Sequence, residues 1–317
     1  MDLSLFFAGT AGSVPTARRG MPAVLLRRGG DRILFDCGEG TQRQLLRTVG
    51  LPDVQAVFLT HHHADHWLGL PGMLKSFDLR DRDAPLTVYG PPGTGELMRA
   101  MRIVYGRLRY PFSVVELEAG ESVRYDGYEV GAFNVRHRTH AFGYATVEEP
   151  RPGRFNAELA TELGVPFGPD FGRLQRGETV NGVRPQQVIG PERPGRKIVL
   201  SGDTAPCDMV RVAAHEADVL VHEATFTEDE RDRAMQTGHS TARQAAEIAR
   251  EADVRLLALT HVSTRYGGGE IRDEAREVFE RTVVPRDFDA IDVPFPEKGE
   301  PEIERWERRD AAPLPRA

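Results

Sequence analysis

The stretch Val54 to His66, VQAVFLTHHHADH, ends an apolar run in His61, His62, His63, Asp65 and His66. Val57, Phe58 and Leu59 read as a buried strand, which puts the polar residues on the loop at its C-terminal end, where open α/β sheets place their chemistry. In extended backbone the spacing by two of His61, His63 and Asp65 turns their side chains to one side, and His66 follows directly. Imidazole and carboxylate groups so close together suit Zn2+, or another borderline divalent metal, better than Ca2+ or Mg2+. A solvated histidine turn is the competing reading, and four ligand-type residues in six positions directly after a strand weigh against it.

Later strands repeat the theme. RKIVLSGDTAP delivers Asp203 at its end, DVLVHEATF delivers His222 and Glu223, and VRLLALTHVSTRY delivers His261. GHSTARQAAEIAREA sets His239 immediately before an amphipathic helix with Ser240 at its entrance. Strand ends that converge in this way build an enzyme site, whereas a structural metal more often uses ligands close together in sequence. His137 and His140, in VRHRTHAFGY, compete for one further ligand position, and strand alternation leaves both open. His62 is out of phase with its neighbours and His215 falls on a helix surface, so neither is a ligand candidate. Cys37 and Cys207 form no paired metal pattern and read as small buried hydrophobes, which fits a reducing cytosol.

The elements that must position these residues alternate between strand and helix. Strands are expected at 2–7, 23–36, in PLTVYG, at 112–117, 122–125 and 128–135, and again from Lys197 onward to a last one near 288–293. Helices are expected near Thr41, from GLPGMLKSF, in TGELMRAMRIVYG and over roughly 270–282, giving an α/β chain with a mixed sheet. The 317 residues, 40% hydrophobic, bury a large core as one big domain or two small ones. No run approaches the length of a membrane span. The net charge of −7 does not advertise a nucleic-acid binder, although a local basic face matters more than the total.

One segment differs in texture. Glu148 to Arg196 is rich in Pro and Gly, has one short helix with Asn156 as its cap and running to about Leu163, and then VPFGPDFGRLQRGE. Within 151–196 seven arginines stand against five carboxylates, so the segment is either a plain surface excursion or an arm that grips a substrate. The tail from 297, EKGEPEIERWERRDAAPLPRA, is charged and expected to be loose.

Taken together these residues resemble the tRNase Z family of tRNA 3′-processing endoribonucleases, within the metallo-β-lactamase superfamily. The superfamily motif H-x-H-x-D-H is matched by His61 to His66, and FDCGEGTQRQL, GLPG, VYGP, SGDT, HEATF, GHST and LTH-x-S-x-RY follow in family order from Met1 to about Phe295. Departures are mild: AGTAGSVP replaces the usual LGTGAGVP, and His62 and Ala64 replace Leu and Gly. The resemblance implies a four-layered αββα sandwich of two mixed β-sheets flanked by helices, a single domain over 1–296 with an inserted, protruding tRNA-binding arm at about 150–196. It selects His137 over His140 by the distance to Phe142-Gly143-Tyr144.

It also implies two Zn2+ per subunit, one on His61, His63 and His137, the other on Asp65, His66 and His261, with Asp203 bridging. Two metals roughly 3.5–4 Å apart hold a hydroxide for in-line attack on a phosphodiester, leaving a 3′-hydroxyl on the tRNA and a 5′-phosphate on the trailer. Glu223 and His239 become the pair that protonates the leaving oxygen, and Asp65 also orients the attacking water. Ser263 and Arg265 are candidate phosphate contacts, and Gly168-Pro169 matches the Gly-Pro pair of the short bacterial-type arm. Precursor tRNA as substrate, a homodimer and a cytoplasmic location complete the expectation. The rivals are another hydrolase of the superfamily, arylsulfatase-like or acting on small phosphodiesters, and a non-catalytic metal-containing RNA-binding protein.

Overall fold

In the computed structural model, which describes residues 1–307, fifteen strands form two sheets. The chain first builds β1 (Leu3–Gly9), β2 (Ala23–Arg28), β3 (Asp31–Phe35), β4 (Ala56–Phe58), β5 (Leu86–Gly90) and β6 (Phe112–Glu116). It crosses to the second sheet with β7 (Ser122–Tyr125), β8 (Tyr128–Asn134), β9 (Phe142–Glu148), β10 (Lys197–Leu200), β11 (Val219–Glu223), β12 (Leu257–Thr260) and β13 (Thr282–Val283). It then returns with β14 (Ala290–Asp292) and β15 (Glu302–Glu304). The first sheet runs β15-β14-β1-β2-β3-β4-β5-β6, and the second β13-β12-β11-β10-β9-β8-β7. Strands β3 to β6 are mutually parallel, as are β10 to β13, while β15, β14, β1, β2 and β3 pair antiparallel.

Parallel strands buried on both faces read as continuous apolar runs, and β4 and β11 are buried at every position. The sheets meet face to face through aromatic rings. Tyr144 of β9 lies 5.8 Å from Phe35 of β3 and edge-on to Phe58 of β4 at 5.2 Å, and its hydroxyl donates to the Leu59 carbonyl at 2.7 Å. The outer face of the first sheet packs Leu34, Val57 and Val88 against Leu45, Met73, Phe77 and Met98 of helices Thr41–Leu46, Leu70–Leu79 and Thr94–Tyr105. The second sheet does the same with Val199, Leu220 and Leu257 against Val210, Ala245, Ala249 and Ile271 of helices Asp208–Ala213, Ala242–Glu251 and Gly268–Arg276. The result is helix, sheet, sheet and helix in four layers. Each buried Leu or Val contributes about 2 kcal/mol to the assembly.

Several expectations are corrected. The stretch 23–36 breaks into a hairpin at Gly29-Gly30. The helix expected over 270–282 spans Gly268–Arg276, because the β-branched Thr282 and Val283 that follow pair with β12. The helix after His239 is capped by Thr241, whose hydroxyl accepts from the Gln244 amide at 3.2 Å, while Ser240 instead donates to the Thr204 carbonyl at 2.6 Å. The tail is not loose over its first part: Glu302–Glu304 pairs antiparallel with β14, and Trp306 packs on Phe288 at 4.9 Å. Residues 308–317 of that tail lie outside the described residues.

By contact the chain divides into two compact units, one of Met1–Arg124, Glu129–Thr146 and Arg196–Ala317, the other of Tyr125–Tyr128 and Val147–Gly195. The smaller unit has its own core of Ala160, Val165, Phe171, Leu174, Val180, Val183 and Val188. Helices Ala157–Glu162, Pro169–Gln175 and Pro185–Val188 supply part of it, and backbone bridges Arg151–Arg193 and Phe155–Ile189 fasten its two ends. Asn156 caps the first helix, its side chain accepting from the Leu159 amide at 3.0 Å. Among the described residues no helix is long and apolar enough to cross a membrane.

Candidate metal centre

Three strands end on a residue in the left-handed region: β3 on Asp36 (φ 57°), β10 at Gly202 (φ 60°) and β12 on His261 (φ 55°). For Asp36 and His261 that conformation costs about 1–2 kcal/mol, and a non-glycine residue held there marks a constrained site. The reversal turns each chain over the same point at the C-terminal ends of the strands. After β4, residues 61–63 lead into the single helical turn Ala64–Trp67, so His61 and His63 face the same side as their spacing suggests while Asp65 and His66 project from a helix.

Seven side chains converge. His61 Nε2 lies 2.9 Å from His63 Nδ1, which lies 3.2 Å from His137 Nε2, and Asp203 Oδ2 is 3.8 Å from His61 Nε2. On the other side, His66 Nε2 and His261 Nε2 are each 3.5 Å from Asp65 Oδ2, and 3.3 and 3.2 Å from Asp203 Oδ2. Their ligand atoms form two groups of metal-ion dimensions, His61, His63, His137 and Asp203, and Asp65, His66 and His261, with Asp203 near both, and a third group joins Asp203 and His261 to His239.

The orientation of each ring is fixed from behind. His66 Nδ1 lies 2.7 Å from Asp36 Oδ2, His137 Nδ1 2.8 Å from the Gly238 carbonyl, and His261 Nδ1 2.8 Å from Thr225 Oγ1. The Thr60 hydroxyl donates to Asp36 at 2.9 Å and lies 3.0 Å from His61 Nδ1. Protonated Nδ1 atoms leave the Nε2 lone pairs of four rings for a metal, the arrangement that metal-binding histidines use. The fit is seen most directly in the orphaned atoms: His66 Nε2, His261 Nε2 and Asp203 Oδ1 are buried without a hydrogen-bond partner. Buried polar atoms are otherwise almost always paired, so these three call for an ion.

Electrostatics agree for part of the site, whereas burial at His66 is outweighed by Asp203 and Asp36, which raise its pKa well above the ordinary value. Burial pushes His61 well down, aided by His66, and burial and His137 push His63 down, favouring the neutral rings that ligate. Asp203 is buried, which opposes ionisation, yet His261 and His66 beside it hold its carboxyl well below the usual carboxylate range. Burial likewise opposes ionisation of Asp65, and hydrogen bonds from His261 and His66 outweigh it.

A second motif adjoins the centre. His239 Nδ1 lies 2.7 Å from Glu223 Oε1 and 4.0 Å from Asp203 Oδ2. Glu223 is fully engaged: Oε1 also accepts from the Thr204 amide at 2.9 Å, and Oε2 from the Thr225 hydroxyl at 2.6 Å. Burial opposes the charge on His239, but Glu223 prevails and raises its pKa to about 9.

The remaining candidates fall elsewhere. His140 is exposed against Phe142, His62 is turned to Thr94 Oγ1 at 2.8 Å, and His222 points its Nδ1 to the Glu223 carbonyl. Ser263 is half-buried, exposed Arg265 pairs with Glu230 at 3.3 Å, and Gly168-Pro169 opens the helix Pro169–Gln175 in the smaller unit.

A family model described as Beta-lactamase superfamily domain matches residues 31–189 and 187–262. The chain is 48% identical over 305 residues to Ribonuclease Z of Haloferax volcanii, covering 93% of this chain and 96% of that one. It is 45% identical over 302 residues to Ribonuclease Z of Myxococcus xanthus, at 93% and 98% coverage. The chain belongs to the ribonuclease Z family. Among solved structures it is similar to human tRNase Z, short form, with a TM-score of 0.67 and 28% identity over 92% of this chain and 99% of that one. A metallo-beta-lactamase fold protein of Bacillus subtilis, 18% identical with a TM-score of 0.69 over 92% of this chain and all of its own, shares the fold.

For this ribonuclease Z family member, reasoning from sequence passed over Asp36, Thr60 and Thr225. Asp36 carried a usable signal, a carboxylate at the end of a strand like Asp203. The Ser13 amide, which donates to Asp65 Oδ2 at 3.1 Å, carried none, because any residue has an N–H.

Proposed function

We propose that this chain is a two-zinc endoribonuclease that cuts precursor tRNA after its 3′ end, leaving a 3′-hydroxyl on the tRNA and a 5′-phosphate on the trailer. The Glu223–His239 pair, 2.7 Å apart at the edge of the ligand cluster, carries this reading, because it gives the site a proton donor as well as ligands. His61, His63 and His137 would hold one ion and Asp65, His66 and His261 the other, with Asp203 shared; the imidazole-rich donor set suits zinc. Bound there, two metal ions supply a water of lowered pKa and offset charge on the phosphodiester.

The chain's own groups do the rest. Glu223, held by three donors, keeps the His239 ring charged and aimed, with Nε2 carrying the proton for the departing 3′-oxygen. Asp65, steadied by the Ser13 amide, orients the attacking water. Thr60 and Thr225 hold the ligand rings in the required tautomer.

The unit Val147–Gly195, with its separate core, is the arm that binds the body of the tRNA, Gly168-Pro169 included, and Ser263 and Arg265 contact substrate phosphate. A cytoplasmic homodimer fits the same reading; Ile103 and Val104, 91% and 64% exposed, are apolar surface that a second copy would cover. The test incubates the purified protein, loaded with zinc and assayed for two metal equivalents per chain, with a 3′-extended tRNA and maps the cut to the nucleotide. Hydrolysis of an aryl sulfate with the pre-tRNA left intact would transfer the chain to the superfamily's other hydrolases.

A further inference from the structure

An arginine-lined trough lies beside the metal centre, within the larger unit. A cavity of about 540 Å³ starts at Val262 and Ser263, directly after His261, and is lined by Arg18, Arg19, Arg272, Arg286 and Arg305. A second cavity of about 440 Å³ shares Thr16, Arg18 and Arg19 with the first and adds Arg43 and Arg47. The two therefore form one path along the loop 13–20, whose Ser13 amide touches Asp65 of the centre. Against these seven arginines the two linings carry only two carboxylates, Glu39 and Asp287, in a chain whose net charge is −7.

The charge is only partly met internally: Arg272 pairs with the adjacent Asp273 at 2.6 Å. Arg286 and Arg305 share the single carboxylate of Asp289, and Arg18 and Arg43 are exposed and have no ion-pair partner among the described residues. Arg19 is the built part of the floor: its Nη1 donates to Thr10 Oγ1 and the Pro285 carbonyl. Gly268 allows that placement, since a Cβ there would come within 2.8 Å of Arg19 Nη2. Seven like charges along one concave wall repel one another and lower stability unless an anion neutralises them. A path of cations spaced along a groove, rather than gathered at one point, suits the repeating phosphates of a nucleic-acid strand better than a single small anion.

We infer that this trough holds the single-stranded trailer of the substrate by its phosphates, on the far side of the bond that is cut. The inference rests on the proposed endoribonuclease reading. It assigns Arg18 and Arg272, which line the same cavity as Ser263, as trailer contacts, and it makes trailer length part of substrate affinity.

The test measures KM for two substrates with the same tRNA body and trailers of one and about twelve nucleotides, at several salt concentrations. In the unaltered protein the longer trailer has the lower KM. In the double variant Arg18→Ala/Arg272→Ala the KM ratio between the two substrates falls to about one, and the salt dependence for the long trailer loses about 0.7 in slope per contact removed. The double variant Arg18→Lys/Arg272→Lys, which keeps the charge, restores most of the ratio. Equal KM values for both trailers in the unaltered protein, or an equal rise on both in the alanine variant, would overturn the inference. Failure of the unaltered protein to cut either substrate overturns the function reading instead, so the two failures are separable.

Discussion

At the scale of residues, proton donor and ligands are separable by experiment. His239 sits 4.0 Å from Asp203 but makes its short contact with Glu223, so His239→Ala is expected to keep both metal equivalents and lose roughly 10²–10⁴-fold in kcat on pre-tRNA. Loss of metal alongside activity would make His239 a ligand. Glu223 raises the pKa of His239, so the acid stays protonated up to a higher pH. Glu223→Gln removes that support, and the alkaline limb of the kcat profile is expected to move to lower pH; an unmoved limb would assign the proton to another group. Behind the ligands, Asp36→Asn leaves His66 Nδ1 without its carboxylate and is expected to weaken metal affinity about 10–100-fold in a competition titration with a chelator. Six of the converging residues were visible in sequence because imidazoles and carboxylates at strand ends are rare without a task, whereas His137 was separated from His140 only by the family resemblance. Asp36 obeys the same rule yet stands behind the ligands, its carboxylate taken up by the Thr60 amide and hydroxyl and by His66 Nδ1, and Thr60 and Thr225 act through hydroxyl directions that no spacing encodes.

At the scale of elements, the loop between β1 and β2 lies against the last ligand. A Cβ on Gly12 would come 2.6 Å from the His261 carbonyl and 2.7 Å from its Nδ1, the atom that faces Thr225. Gly12→Ala is therefore expected to displace the ring and lower metal content while the far-ultraviolet circular dichroism stays that of the parent. The C-terminal strand is tested separately: Trp306→Ala removes the ring packed on Phe288 and is expected to cost about 1–2 kcal/mol in denaturant unfolding. Most strands and the long helices were legible from their periodicity, but β9, Phe142–Glu148, was not among the strands expected. The helices Pro169–Gln175 and Pro185–Val188 were not, because proline reads as a loop signal although it is well suited to the first turn of a helix. Likewise β15 hides among charges, since only Ile303 of its three residues is apolar.

At the scale of the molecule, the smaller unit holds its own core, so its loss need not disturb the larger one. Deleting about 155–185 is expected to spare hydrolysis of bis(p-nitrophenyl) phosphate and to weaken cleavage of pre-tRNA; equal loss on both would remove the arm from substrate binding. The pairing of β1 with β14, and of β14 with β15, also sets an order of events during synthesis. Strand β1 has one neighbour, β2, available within about twenty residues, while its other edge waits for residues 290–292. At about 5–20 residues per second that edge stays open for roughly 15–60 s, a window in which an unpaired apolar strand recruits any other strand it meets. The first sheet is thus closed long after its β1 is made, and a nascent chain stalled before β14 is the form of this protein most exposed to aggregation.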